Sequence, residues 1–434
     1  MKKTIGRLAT LLAAVAMSTT VAIGFASNAK ADSNDALRRR VDVLEQQLKK
    51  MPAILKEMKS LKRALAKTQK KQAQKAARVN PAAGGLGGGY GKITWHLGGF
   101  GTADYTQRQT SDTANSFGAE FNPIFLVNYD DLLQFESELE VKTLSDGSTK
   151  LEIEFSNLNL LVNDWLTLTA GKFLSPFGDF QQHLHPTWIN KLPDRPAGFV
   201  EDGGNEPLTE IGVMARGAFP VGSTTVDYAV FVGNGPQLDG DPTAGVKYEA
   251  NGADNDNHKA FGGRIGFRPL PYVTVGFSGM TSKLSPMAGT GVPVSDGRLY
   301  NLGVDAAYTR KYLSIRGEWL HAHLNSMSTA FVDVGPMTMV IPATTWNSWY
   351  IQGSYKLAGL TDMPYISNLE PVFRYSMITT HGFSDFAMID ERRWTLGLDY
   401  WFTPSIVAKF AYENRNYDVK RNENVLRLQL AFGF

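Results

Sequence analysis

From about residue 92 onward, the chain alternates between apolar and polar residues with a period of two. The last strand-like run is the clearest, because Leu426, Leu428, Leu430 and Phe432 share one face while polar or small residues occupy the other. A period of two is typical of a strand that separates two environments. Runs of about ten such residues are typical of transmembrane β-barrels, whose strands face hydrocarbon on one side and a lumen on the other.

The pattern predicts an all-β fold, a transmembrane antiparallel barrel of about sixteen strands, with fourteen or eighteen as alternatives. The predicted strands are 92–106, 119–129, 132–142, 149–160, 165–173, 210–219, 224–233, 260–268, 271–283, 298–309, 312–324, 346–357, 369–379, 390–402, 405–416 and 424–434. Tryptophan and tyrosine recur near strand ends, where they would meet lipid headgroups. A soluble β-sandwich or a secreted β-rich enzyme is the alternative, and the aromatic positions argue against both.

The first 91 residues divide into three other segments. Residues 1–31 are a predicted signal peptide, with a basic start, an apolar run and small residues at Ala29 and Ala31 before the expected cleavage site. Residues 32–79 are predicted to form a short helical coiled coil, and residues 80–91 a glycine-rich linker to the barrel at 92–434. The heptad positions of the coiled coil are Leu37, Val41, Leu44, Leu48, Met51, Leu55, Met58 and Leu65.

Charge is distributed unevenly over these segments. The full chain carries a formal net charge of +2, of which residues 1–31 hold +4, residues 32–79 hold +9 and the remainder −11. The positive charge of the helical segment has two interpretations. It belongs to a solvated helix surface, or it attracts the segment to an anionic partner such as peptidoglycan. There is no cysteine, which excludes thiol chemistry and fits an exported protein without disulfides.

Residues 171–178, with the sequence GKFLSPFG, and the order of the segments resemble the phosphate-selective porin O/P family. The layout is similar to that of the coiled-coil-bearing DcaP-like porins as well. This resemblance implies a homotrimer in the Gram-negative outer membrane, with its N-terminal segment in the periplasm. It also implies a loop folded into the pore, and diffusion of small hydrophilic solutes, including anions such as phosphate or carboxylates.

Residues on the polar face of each strand are expected to line the lumen and to select what passes. The acidic candidates are Glu136, Glu138, Glu140, Glu152 and Glu154. The basic candidates, with the planar guanidinium suited to phosphate and carboxylate, are Arg216, Arg264, Arg268, Arg316, Arg374, Arg393, Lys409 and Arg427. Opposed rows of charge would produce a transverse field. The alternative is that these charges pair with one another and only fill a polar wall.

Residues 174–207 are too long for a turn and rich in proline, so we expect a loop folded into the barrel. Lys191 and Arg195 are the residues predicted to line its constriction. An external loop that caps the barrel is the alternative.

No catalytic motif is present. The sequence has no G-x-S-x-G, P-loop or H-E-x-x-H element. The pairs His183 with His185 and His321 with His323 lack a third ligand at a fixed spacing, so a lumen or structural role is favoured over a metal site. We therefore expect a porin that is not an enzyme, needs no cofactor or metal and binds no nucleic acid. The alternatives are a barrel that tethers the membrane to the cell wall and an outer-membrane hydrolase.

Overall fold

The computed structural model describes residues 86–109, 115–144, 146–199, 205–238, 246–249, 252, 254, 257–285, 292–331, 337–382 and 390–434. The predicted signal peptide and coiled coil lie outside the described residues. Within those residues, no helix has both the length and the apolar character needed to cross a membrane.

The described residues form 22 strands, one short helix and one 3-10 turn. The strands are β1 (Leu86–Tyr90), β2 (Ile93–Arg108), β3 (Asn115–Tyr129), β4 (Leu133–Thr143), β5 (Thr149–Asn163), β6 (Leu166–Leu174), β7 (Thr209–Val221), β8 (Thr224–Gly233), β9 (Gln237–Leu238), β10 (Val246–Lys247), β11 (Ala260–Leu270), β12 (Val273–Leu284), β13 (Val292–Ser295), β14 (Gly297–Arg310), β15 (Leu313–Leu324), β16 (Met327–Phe331), β17 (Met337–Ile341), β18 (Thr344–Tyr355), β19 (Leu369–His381), β20 (Glu391–Thr403), β21 (Ile406–Tyr417) and β22 (Glu423–Gly433). Helix α1 is Phe180–Leu184, and the 3-10 turn is Leu357–Gly359.

Sixteen of these strands close an antiparallel barrel, which confirms the predicted fold class and strand number. Each barrel strand pairs with its neighbours in chain order, and β2 pairs with β22 to close the ring. One end of the barrel carries mostly short turns, such as the one at Gly222 between β7 and β8. The other end carries the long loops, so we call these the short-turn end and the long-loop end.

The predicted linker contains a strand. Residues Leu86–Tyr90 form β1, which pairs antiparallel with the start of β2. Glycine disfavours a helix, as the sequence suggested, but it does not prevent main-chain pairing once an unpaired strand edge is available.

The outer surface of the barrel is apolar, and its aromatic residues concentrate near both ends of the strands. Trp95 and Trp165 are exposed toward the short-turn end, and Trp319 and Trp394 toward the long-loop end. Aliphatic residues such as Leu398 are exposed between the two belts. Lipid-facing barrels have this distribution, because aromatic side chains are stable at headgroup level and aliphatic ones in hydrocarbon.

The described residues between β6 and β7 fold into the barrel, so the expected in-folded loop is present; we call residues 175–199 and 205–208 the in-folded segment. Its aromatic residues Phe177, Phe180 and Phe199 are almost completely buried. They join a hydrophobic core that includes wall residues such as Tyr350 and Leu320. Since aromatic rings would be unstable in an aqueous lumen, this core fixes the segment against one side of the wall. The alternative, an external loop that caps the barrel, is wrong for the described residues of this segment.

Candidate functional site: the divided lumen

The in-folded segment leaves three adjoining cavities on the side of the lumen formed by β2–β8, β11, β12 and β22. The first has a volume of about 590 Å³ and is bounded by β2–β5, β22 and loop residues between His185 and Arg195. Its wall residues lie from the middle of the strands toward the long-loop end, for example Arg108 on β2 and Thr143 on β4.

The second cavity, of about 380 Å³, lies near the short-turn end and includes Arg216 and Arg268 in its lining. The third, of about 290 Å³, lies between the other two. It shares Glu138 and His185 with the first cavity, and His183 and Arg216 with the second. The three cavities therefore follow one another from the long-loop end to the short-turn end, and we call them together the passage.

The lining of the passage is polar and nearly balanced in charge. It includes nine carboxylates and seven lysines or arginines, besides two histidines. The carboxylates are those of Asp104, Glu120, Glu136, Glu138, Glu140, Glu154, Asp179, Asp194 and Asp227; the cations are those of Arg108, Lys142, Arg195, Arg216, Arg264, Arg268 and Arg427.

The acidic residues singled out from the sequence lie on the inner side of β4 and β5. Glu138, Glu140 and Glu154 line the first cavity, and Glu136 lines the third. Glu152 forms an ion pair at 3.0 Å with Lys150, and its side chain is 40% exposed. Glu120 on β3 also lines the first cavity, and the same alternation would have identified it.

Four of the basic residues singled out from the sequence lie on β19–β22, and three of them contact the in-folded segment through its backbone. Arg374 is fully buried, and its Nη2 donates to the carbonyl oxygen of Asp194 at 2.9 Å. Arg393 donates to the carbonyl oxygen of Arg195 at 2.9 Å. The ammonium of Lys409 donates to the carbonyl oxygens of Thr187 and Asn190. These three cations therefore anchor the segment, and only Arg427, the fourth, is among the residues that line the passage.

The other four basic candidates lie near the second cavity. Arg216 donates to Asn159 at 3.2 Å, and Arg268 lines the cavity toward the short-turn end. Arg264 is paired with Asp305 at 2.6 Å and with Asp227 at 3.1 Å. Arg316 is 3.6 Å from Asp179 of the in-folded segment; unlike the other three, it is not among the lining residues. Arg216 and Arg264 thus line the passage although their guanidinium groups already contact wall side chains.

The two residues predicted for the constriction have different positions. Arg195 lines the first cavity and donates to the side chain of Gln181 at 2.7 Å. Lys191 lies against the wall, where its ammonium is 3.0 Å from Glu370 and 4.9 Å from the ring centre of Trp401. Lys191 is not among the residues that line the passage, because Glu370 and Trp401 hold it on the opposite side of the segment.

Asp194 is the central charged residue of the in-folded segment, and nothing in the sequence distinguished it from its neighbours. Its Oδ2 atom accepts from Arg393 at 2.8 Å and from Arg427 at 3.2 Å, and also from Arg415. Burial by itself raises the pKa of Asp194, but the surrounding arginines hold it well below its usual range. Asp194 is therefore ionised at neutral pH.

Two wall carboxylates alternate with these arginines. Glu391 accepts from Arg393 at 2.6 Å, and Glu413 accepts from Arg415 at 2.8 Å and from Arg427 at 3.0 Å. On β20 and β21, alternate positions face inward. The positions of Glu391, Glu413 and Arg415 fall on the same inward-facing side as Arg393 and Lys409, so the alternation of the sequence was sufficient to find them. We call Arg374, Arg393, Arg415 and Arg427 the arginine cluster.

The two histidine pairs have different positions. His183 and His185 lie in and just after α1, within the in-folded segment; His183 is paired with Asp179 at 2.9 Å, and His185 bonds to the Gln181 carbonyl at 2.8 Å. His321 and His323 are on β15 but have the outward parity, opposite to that of the inward-facing Leu320, so a lumen role is wrong for this pair. Among the described residues there is no group of three or more potential metal ligands.

The fold and the divided lumen together define a closed membrane-type β-barrel with an in-folded segment. No protein-family model and no curated protein sequence matches this chain. Among solved structures, it is similar to an anion-selective porin from Comamonas acidovorans, with 12% identity and a TM-score of 0.54, over 79% of this chain and 100% of that one. Similarity extends to OmpF of Salmonella typhi, solved with daunomycin, with 13% identity and a TM-score of 0.53, over 80% and 100% of the two chains.

The outer-membrane channel DcaP of Acinetobacter baumannii is similar too, with 14% identity and a TM-score of 0.51, over 80% of this chain and all of that one. At such low identities the likeness shows a common fold. The fold is that of these outer-membrane channels.

Proposed function

We propose that this protein is an outer-membrane porin through which small hydrophilic solutes diffuse passively. One observation carries the proposal: a series of polar cavities follows the in-folded segment from the long-loop end to the short-turn end of a closed barrel. Such an arrangement gives water and ions a hydrated route, while the apolar outer surface suits a bilayer.

The near balance of charge along the passage supports weak selectivity. Carboxylates of β3–β5 lie on one side of the first cavity, and Arg195 and Arg427 contribute positive charge to the same cavity. A transverse field between them would orient water and dipolar solutes, and it would admit small ions of either sign. We infer a general porin rather than one restricted to a single solute.

A preference for anions such as phosphate or carboxylates is the second candidate. The second cavity favours it, because Arg216 and Arg268 add positive charge to its lining, whereas the charge of Arg264 is compensated by Asp227 and Asp305. Zero-current potentials across a potassium chloride gradient, repeated with potassium phosphate and a dicarboxylate salt, distinguish the two candidates. A potential near zero supports weak selectivity, and a potential set by the anion supports the second candidate.

The test of porin function uses the absence of cysteine from the chain. Glu154→Cys places a thiol in the first cavity, whereas Ile153→Cys places one on the neighbouring outward position, where the native residue is 48% exposed. We expect ohmic conductance in planar bilayers, and a charged methanethiosulfonate reagent should change it only for the Glu154 variant. Absence of conductance from the purified protein would contradict the proposal.

An outer-membrane location, a periplasmic N-terminal segment and a homotrimer belong to the same proposal. Sedimentation of the detergent-solubilised protein measures the oligomeric state. Attachment to peptidoglycan through residues 32–79 concerns residues outside those described, and it stays a prediction from the sequence.

A further inference from the structure

The arginine cluster binds a carboxylate that belongs to the protein itself. Three of its guanidinium groups, from Arg393, Arg415 and Arg427, donate to the same oxygen of Asp194. Guanidinium groups are common binding groups for phosphate and carboxylate ions in proteins, because they donate strong, charge-assisted hydrogen bonds. The side chain of Asp194 therefore occupies a position that is chemically suited to an oxyanion.

The charge of the cluster is not fully compensated without Asp194. Glu391 and Glu413 supply two negative charges against the four positive charges of the cluster. Arg374 in addition has two buried donor atoms, Nε and Nη1, for which the described residues offer no acceptor. A buried guanidinium with unused donors increases the affinity of its surroundings for an anion.

The position of Asp194 is reachable from the passage. Asp194 and Arg427 line the first cavity, and their side chains are 21% and 16% exposed. Arg393 and Arg415 lie behind them, with side chains 3% and 9% exposed. An ion in the first cavity would thus meet Asp194 and Arg427 first, and it would meet the rest of the cluster only if Asp194 no longer occupied it.

We propose that Asp194 is an internal oxyanion that occupies the arginine cluster and thereby limits the anion preference of the passage. Without this carboxylate, the cluster binds inorganic phosphate or a solute carboxylate from the water in the first cavity. The proposal rests on the proposed porin function, since it concerns the selectivity of the same passage.

The test compares Asp194→Asn with the wild type. Asparagine keeps the volume and one acceptor oxygen but removes the charge. We expect the ratio of chloride to potassium permeability, measured as the zero-current potential, to rise a few-fold, as expected for one unit charge that acts through a largely aqueous passage. We also expect phosphate to block the variant's chloride current at lower concentrations than in the wild type, and to raise its Tm at constant ionic strength.

Two further variants make the result interpretable. Glu413→Gln removes a carboxylate that pairs with the arginine cluster and leaves the sequence of the in-folded segment unchanged. It should shift the permeability ratio in the same direction, and it replaces Asp194→Asn in the test if that variant does not fold. Asp130→Asn is the matched control, because Asp130 lies in the short turn after β3 and pairs with Lys92. This control should leave selectivity and the effect of phosphate unchanged.

The outcomes separate the two proposals. If the wild type conducts but Asp194→Asn and Glu413→Gln both keep its permeability ratio and its response to phosphate, the internal-oxyanion proposal is overturned and the porin proposal stands. If the wild type does not conduct, the porin proposal fails. In that case, an increase in the Tm of Asp194→Asn on addition of phosphate in detergent would still support an oxyanion site in the arginine cluster. If phosphate does not raise the Tm, the oxyanion site is overturned as well.

Discussion

Replacement of Gly178 by alanine should release the in-folded segment from the barrel wall. Gly178 has a φ of +68°, which L-residues with a side chain rarely adopt. A Cβ atom at this position would lie 1.7 Å from Oε1 of Glu318. The carboxylate of Glu318 accepts from the backbone N–H groups of Asp179 and Phe180 at 3.1–3.3 Å, so it cannot move away without breaking these bonds.

The free energy by which Gly178→Ala destabilises the docked segment is the sum of three contributions. A left-handed φ costs a residue with a Cβ about 1–2 kcal/mol. The buried N–H of Phe180 and the half-buried N–H of Asp179 each cost about 1–3 kcal/mol once deprived of the Glu318 carboxylate. The lower ends of these ranges add to about 3 kcal/mol, which corresponds to roughly two powers of ten in the equilibrium between the docked and released segment.

Single-channel recording in planar bilayers measures the consequence. Since the segment fills one side of the lumen, its release should increase the mean conductance and the current noise of the open channel, and the Tm should fall. Gly222→Ala is the matched control, because Gly222 has a φ of +61° in a short turn with no atom within 4 Å of the added Cβ. Equal conductance and equal Tm for the two variants would refute the reasoning.

Three other substitutions test separate features. Phe199→Ala removes a buried ring whose centre lies 5.1 Å from that of Tyr350, and it should destabilise the protein by about 3–5 kcal/mol, measured by denaturant unfolding in detergent. The hydrogen bond to Asp179 raises the pKa of His183. The pair therefore stabilises the segment fully below about pH 6.5, the pKa of a free histidine, and its contribution is lost as the pH rises through the raised pKa of His183. His183→Gln should flatten the dependence of Tm on pH. Leu398→Arg places a charge on the outward face in mid-strand and should reduce insertion into vesicles by about 2–4 kcal/mol.

Each of these predictions has a control at a less critical position. Phe402, which is 56% exposed on the outer surface, should tolerate alanine better than Phe199. His258 is paired with Asp296 in an outer loop, and His258→Gln should keep the pH dependence of the segment. Leu360 lies in the turn between β18 and β19, so Leu360→Arg should insert normally. A control that behaves like its test variant would contradict the corresponding argument.

The barrel was predictable because alternation is a local property of the sequence. Every predicted strand overlaps an observed one, and the ends differ by at most four residues, the largest difference being the start of β3 at Asn115. The small strands β9, β10, β13, β16 and β17 were not predicted. They pair with one another across the outer loops, so their partners, rather than their own sequences, decide their conformation.

The site was predictable only in part, for a similar reason. The parity of β20–β22 correctly placed Arg393, Lys409 and Arg427 on the inner side. Their partners, however, come from the in-folded segment, about 200 residues earlier in the chain, and the position of Asp194 within that segment depends on tertiary packing around Phe180 and Phe199. Strand alternation identifies which residues face inward, but it does not determine what they meet there.

The in-folded segment therefore determines the charge of the passage more than composition does. Residues 92–434 carry −11 in total, yet the passage is lined by nine carboxylates and seven lysines or arginines. The segment binds Arg374, Arg393, Arg415 and Lys409 and keeps them away from this lining, while it contributes Asp179, Asp194 and Arg195 to it. A change in how the segment docks would thus alter selectivity without any change in the wall, and counting inward-facing charges on the strands alone would give the wrong balance.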